Sequence, residues 1–100
     1  MDLPVRHNAS AHRFEVALGD DRAVAEYERR DDTVVFTHTE VPEAHEGQGV
    51  ASALARAGLD WARAEGLRVA PQCAFFAAFV REHDAYRDLV ADGFPLDREG

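Results

Sequence analysis

The stretch Val41-Pro42-Glu43-Ala44-His45-Glu46-Gly47-Gln48-Gly49-Val50-Ala51 joins two unlike halves of the chain. Before it, Thr33 to Val41 is rich in Thr, Val and Phe, the composition of a pleated, half-buried strand. Pro42 ends that strand, because proline has no N–H to give to a ladder. After it, Val50, Leu54, Ala57 and Trp61 recur at helical spacing in an Ala-rich run to about Glu65, and Gly66 stops the run. A strand therefore passes through two glycines into the first turn of a long helix. Such a turn presents unpaired backbone N–H groups at the positive end of the helix dipole. Glycine lets an anion approach that backbone with no Cβ in the way. Chemically this is a phosphate cradle. The same residues also read as a plain strand-to-helix turn that binds nothing.

Upstream, Phe14, Val16 and Leu18 alternate with Arg13, Glu15 and Ala17, which is strand periodicity. Gly19-Asp20-Asp21 signals a turn, Ala23 to Glu28 a returning strand, and Arg30-Asp31-Asp32 a second turn. Three strands on short turns predict an antiparallel meander, preceded by a polar lead-in over residues 1–10. Downstream, Leu67 to Gln72 predicts a short fourth strand broken by Pro71, and Ala74 to His83 a helix carrying Phe75, Phe76, Phe79 and Val80. Residues from Asp92 onward are turn-rich and are expected to fray. The expected order is β-β-β-α-β-α. This is an α/β (α+β) arrangement of meander, glycine-loop helix, splayed strand and C-terminal helix, in a single domain spanning residues 1–100. Gly58 costs the first helix about 1 kcal/mol relative to Ala, which marks it as a point of close packing on the sheet.

Bulk properties narrow the function classes. One hundred residues suit one domain of ordinary globular balance, with 46% hydrophobic and 30% charged residues. All eleven basic residues are Arg, and the net charge is -8. An acidic surface repels phosphate backbones and argues against nucleic-acid binding, while it attracts a cationic amine. Cys73 is the only cysteine, so no intramolecular disulfide can form. The N-terminus lacks an apolar h-region and no apolar run approaches the roughly 20 residues of a membrane helix, so a cytoplasmic location away from membranes is expected.

The glycine turn fails two familiar phosphate-binding patterns. A Walker A loop needs Lys, which the chain lacks, and a dinucleotide fingerprint needs a third small residue inside a βαβ unit. His7, His12, His45 and His83 have no metal-ligand spacing, so no metal is expected. Neither Ser10 nor Ser52 sits in a nucleophile elbow. Arg56 and Arg63 read as part of a solvated helix face, and the Phe75, Phe76 and Phe79 cluster as core with one ring free to flank a ligand.

A strand ending Val41-Pro42-Glu43, a loop, and Gly47-Gln48-Gly49-Val50-Ala51 opening an Ala/Leu-rich helix resemble motif A of the GNAT N-acetyltransferases. His38-Thr39-Glu40-Val41-Pro42 and Pro71-Gln72-Cys73-Ala74-Phe75 resemble, in order and spacing, the pattern of a minimal, single-domain GNAT-like subfamily. The resemblance runs from about Phe14 to Val90. It implies acetyl-CoA as the acetyl donor, with the pyrophosphate held by Gly47, Gln48, Gly49, Val50, Ala51 and Ser52. It also implies a pantetheine arm between the strands of Val41 and Val69. Glu46 departs from the family's usual Gln or Arg, and a carboxylate beside a pyrophosphate is electrostatically unhelpful.

Transfer to an amine needs the neutral amine, whose pKa in water is about 10.4, so a base or a water relay assists. His38 is the candidate base, and alternation sets it on one strand face with Val34, Phe36 and Glu40. Glu40 either orients His38 or acts as base itself, and both residues also read as ordinary surface side chains of a strand. The Val41 N–H is suited to polarise the thioester carbonyl, as the resemblance implies. Cys73, between a strand and a helix start where the dipole favours a thiolate, either lines the pantetheine channel, packs in the core, or accepts the acetyl group. The reading is an acetyl-CoA-dependent N-acetyltransferase acting directly in a ternary complex on an amine, of protein or small molecule. A CoA-binding module with little catalysis and a cysteine hydrolase pairing Cys73 with His38 are the alternatives.

Overall fold

In the computed structural model, which describes residues 4–91, five strands form one sheet in the order of the chain. These are β1 (Val5–Asn8), β2 (Arg13–Leu18), β3 (Asp21–Arg30), β4 (Thr33–Glu40) and β5 (Arg68–Pro71). The first four pair antiparallel, and β5 adds to β4 in parallel. The parallel pair requires a crossover, supplied by α1 (Val50–Ala64). α2 (Ala74–Glu82) follows β5, and a 3-10 segment covers Asp84–Leu89. The mixed α and β class and the strand–glycine turn–helix order stand as the sequence implies. The expected fraying from Asp92 onward lies outside the described residues.

Residues 1–10 are not merely a lead-in. Val5–Asn8 pair with β2, so the meander has four strands rather than three. The pairing sets Val5 opposite Val16 and His7 opposite Phe14, on the face that carries the core. A strand of four residues with one apolar side chain is too short for periodicity alone to expose it.

The helices cover one face of the sheet. Phe14, Val16, Ala23, Ala25, Tyr27, Val34, Phe36 and Val69 point toward them and are buried. The opposite face carries Arg6, Arg13, Glu26, Glu28, Arg30 and Arg68, as befits a sheet with one solvated side. Glu15 lies on that face yet is 7% exposed, because Arg13 Nε and Asn8 Nδ2 donate to its Oε2 at 2.6 and 3.0 Å. The Arg13 hydrogen bond, foremost, holds its carboxyl below the usual range.

The buried side of α1 comprises Val50, Leu54, Ala55, Gly58, Leu59 and Ala62, a stripe rotated from the one that Ala57 and Trp61 suggest. Those two are only partly buried, because Trp61 packs at the stripe's margin against His7, Phe14 and Tyr27. Gly58 has the close approach expected of it: a Cβ there would lie 2.9 Å from Phe36 Cε1 and 3.6 Å from Phe76 Cε2. Phe36 and Phe76 are themselves stacked, with centroids 4.2 Å apart, so sheet, α1 and α2 meet at this one glycine.

Arg56 and Arg63 do more than solvate a helix. Arg56 lies over the Phe79 ring at 5.4 Å, and Arg63 grips both carboxylate oxygens of Asp88 at 3.0 and 3.1 Å. Tyr86 Oη donates to Asp60 at 2.7 Å, so α1 holds the 3-10 segment from its outer side.

Two outcomes follow. Gly58→Ala gains about 1 kcal/mol of helix propensity but forces the buried, stacked Phe36 ring to move, at a cost of about 1–3 kcal/mol. Denaturant unfolding should show a net loss of stability, with an unchanged midpoint counting against this packing. For His7, burial lowers the imidazole pKa below 6.5, the Glu65 carboxylate opposing it less strongly. The unfolded chain then takes up a proton before the folded one, so this stability is intact above about pH 6.5 and declines as pH falls through the lower folded value. His7→Gln should therefore lose less stability than the wild type between pH 8 and pH 5, measured as urea midpoints.

Candidate functional site

β4 pairs with β3 as Glu26↔His38 on one side of an irregularity and Tyr27↔Phe36 on the other. Thr37 is thus an extra residue on β4, a β-bulge, and its Oγ1 donates to Glu26 O at 3.4 Å. One extra residue inverts the alternation beyond it. Thr39 pairs with buried Ala25 and faces the helices, while His38 and Glu40 join Glu26 and Val24 on the solvated face. Simple alternation therefore assigns His38 wrongly to the face of Val34 and Phe36. His38 is exposed, as is Glu40, and its Nε2 lies 3.6 Å from Glu40 Oε1, so those two residues are brought together.

The same region separates β4 from β5. Their parallel pairing ends at Phe36↔Pro71, and the Cys73 N–H then donates to Phe36 O at 2.8 Å. Pairing is intact from Thr33↔Arg68 to Phe36↔Pro71, so the strands of Val41 and Val69 part beyond Pro71. Thr39 to Val41 are left with no β5 neighbour. Cys73 sits at the N-cap of α2, half-buried, with its Sγ 3.3 Å from Thr39 Oγ1. The bulge puts His38 on the opposite face of β4 from this contact, which removes the Cys73–His38 pair that a hydrolase needs.

The glycine turn begins after a short 3-10 turn at Glu43–His45. Gly47 and Gly49 have φ of +82° and +83°, in the left-handed region that favours glycine. A Cβ at either would meet nothing within 4 Å, so these glycines serve backbone direction, not crowding. Gly49 is the N-cap of α1 and offers no side chain to the first turn, which also contains no acidic residue. The amides of Val50, Ala51 and Ser52 precede the first helical hydrogen bond, Ala53 N–H to Gly49 O at 3.0 Å, and have no acceptor within the helix.

A pocket of about 210 Å³ opens there, lined by Val41, His45, Glu46, Gly47, Gly49, Val50, Ala51, Ser52 and Phe75. It brings together most of the cofactor residues expected from sequence, whereas Gln48 and Cys73 are not in its lining. His45 is an addition: its imidazole lies 3.5 Å from Asp21 Oδ2, which carries a charge from the β2–β3 turn to the rim. No spacing in the sequence indicates that pairing. Phe75 supplies an aromatic wall, the role left open for one ring of its cluster. Among the described residues, no three His, Cys, Asp or Glu side chains are grouped to hold a metal ion.

A sequence model described as GCN5-related N-acetyl-transferase matches residues 13–89. The chain belongs to that family. Protein NATD1 of Bos taurus is 40% identical over 84 residues, covering 81% of this chain and 74% of that protein. Protein NATD1 of Homo sapiens is 38% identical with the same coverage, and that of Danio rerio 37% identical over 88% of this chain and 84% of its own. A Staphylococcus aureus protein solved by NMR, described as a GCN5-like candidate N-acetyltransferase, superposes with a TM-score of 0.71. It is 24% identical, covers 89% of this chain and 88% of its own, and so speaks for the fold. Family membership supports an acetyl-transfer function, and the matched span holds the bulged β4, the glycine turn, α1 and Cys73.

Proposed function

We propose that this chain transfers an acetyl group from acetyl-CoA to an amine by direct attack in a ternary complex. The observation that carries this reading is the left-handed Gly47 and Gly49 pair at an uncapped helix start, beside the point where β5 leaves β4. Acetyl-CoA, when bound, supplies an acyl group activated as a thioester.

The residues divide the work by position. The turn amides from Gly47 to Ser52 hold the pyrophosphate, and the small residues Ala51 and Ser52 leave its approach open. Phe75 walls the pocket on its apolar side. The Val41 N–H, past the end of β4, is suited to the charge that develops on the thioester oxygen. His38, turned outward by the bulge, accepts the proton that the acceptor amine loses as its nitrogen bonds to the carbonyl carbon, and the C–S bond breaks to release CoA as its thiolate. Glu40, with Oε1 3.6 Å from His38 Nε2, is placed to orient the ring. A cationic acceptor suits the acidic chain and the carboxylates of Glu26 and Glu40 beside His38 on that face. The thiol of Cys73, held against Thr39, fits packing beneath the strand junction better than attack on the donor. A cytoplasmic setting is part of the same proposal.

A second reading is a CoA-binding module with little turnover, since Glu46, in the lining of the pocket, departs from the family's usual Gln or Arg.

Calorimetric titration with acetyl-CoA should show saturable binding that Gly49→Trp abolishes, and Glu46→Gln should tighten it by about threefold to tenfold by removing a like charge. A folded protein that does not bind at millimolar acetyl-CoA would exclude both readings. For the chemistry, His38→Ala should keep acetyl-CoA affinity and lose roughly 10²–10⁴-fold in acetylation of an amine acceptor. Equal turnover by wild type and variant would remove His38 from the mechanism.

A further inference from the structure

A second cavity lies at the other end of α1. Its volume is about 370 Å³, against about 210 Å³ for the pocket at the glycine turn. At about 1.5 Å per residue, α1 carries Trp61 roughly 16 Å from Val50, so the two cavities are separate. Nothing in the acetyl-transfer reading uses this one.

Its walls are aromatic and its rim is charged with both signs. Tyr27 and Trp61 lie 5.1 Å apart between centroids, His7 meets Trp61 edge-on at 4.8 Å, and His12 lies 5.8 Å from Tyr27. The wall is fixed in place: His7 Nε2 and Tyr27 Oη are 2.6 Å apart, and the Tyr27 N–H donates to His12 O at 3.0 Å. His12 holds a left-handed backbone with φ of +57°, uncommon for a residue with a side chain. Trp61 remains only partly buried, which leaves ring surface for a ligand. Glu65 and Arg29, both exposed, complete the lining. Their charges act inward: Glu65 favours the charged form of His7, and Arg29 that of Tyr27, each against a larger effect of burial.

Aromatic faces attract organic ammonium groups, and a neighbouring carboxylate reinforces them. A guanidinium on the same rim offers forked donors to a carboxylate. Arg29 Nε donates to Asp31 O at 3.4 Å, and a ligand bearing both charges would engage Arg29 and Glu65 together. The volume lies at the small end of the range for ligand pockets, roughly 300–1,000 Å³. We propose that this cavity binds a small betaine-like zwitterion, its ammonium against the Trp61 ring beside Glu65 and its carboxylate on Arg29.

Trp61 is the only tryptophan, so its fluorescence and its single indole N–H resonance report on this cavity directly. The probes are glycine betaine, choline and acetate, each titrated into the full chain. Betaine should shift both signals saturably, choline should do so about tenfold more weakly, and acetate should do neither. Arg29→Gln should bring betaine to the level of choline while leaving choline unchanged, and Glu65→Gln should weaken both about tenfold. Both substituted side chains are exposed, and the indole resonance of each free variant checks that the wall is intact. A flat betaine titration, choline binding as tight as betaine, or betaine binding indifferent to both substitutions would each overturn the proposal. Acetyl-CoA binding is measured separately, so failure here leaves the transfer reading untouched, and the reverse holds equally.

Discussion

Thr37 has no opposite residue in the β3 register, and the strand on either side of it faces in opposite phase. Before it, Val34 and Phe36 are buried against the helices. After it, Thr39 takes their place and His38 and Glu40 turn to solvent. A bulge also increases local twist and bends the strand that carries it. Here the bulge sits where the β4–β5 pairing ends, so β4 continues alone toward Val41 while β5 turns off through Cys73 into α2. The opening beside Val41, the outward His38–Glu40 pair and the inward Thr39–Cys73 contact all depend on this one residue.

The layer above the sheet is held by crowding rather than by bulk. A short chain buries a modest core, and here Phe36, Phe76 and the bare backbone of Gly58 close on one another with no room for a methyl group. That contact fixes the height of α1 over β4, and therefore the place of the α1 N-terminus beside Val41. Farther along α1, Arg63 and Asp60 hold the 3-10 segment through Asp88 and Tyr86. The helix that opens from the glycine turn is thus anchored along its length, and its other end closes an aromatic cavity with β1 and β3.

Electrostatics separate the two faces. The glycine turn is a local concentration of backbone positive charge on a chain of net charge -8. An anionic donor can be held there by amides without any lysine, and the chain contains none. On the solvated face, carboxylates stand beside His38, where the proposed cationic acceptor would arrive. Glu46 is the exception, a carboxylate on the rim of the anion pocket.

Much of this was legible in the sequence because it is local. Helix spacing, the glycine turn, the proline ends of strands and the small residue within α1 each express a short-range rule, and the His38 to Phe75 motifs carry the family. What escaped depends on contacts distant in the chain. β1 is defined by its pairing with β2, since four residues alone show no usable period. The face of His38 is set by a bulge that exists only in the β3–β4 register, which no alternation along β4 can reveal. Arg63 and Asp88 meet across 25 residues, and His7 reaches Tyr27 across 20. The sequence by itself determined most of the elements, the glycine turn and the family, because backbone preference and spacing act within a turn or two. Tertiary structure alone decided which side of the sheet each functional group faces and which groups share a cavity, because pairing register and helix docking bring together residues that the chain keeps apart.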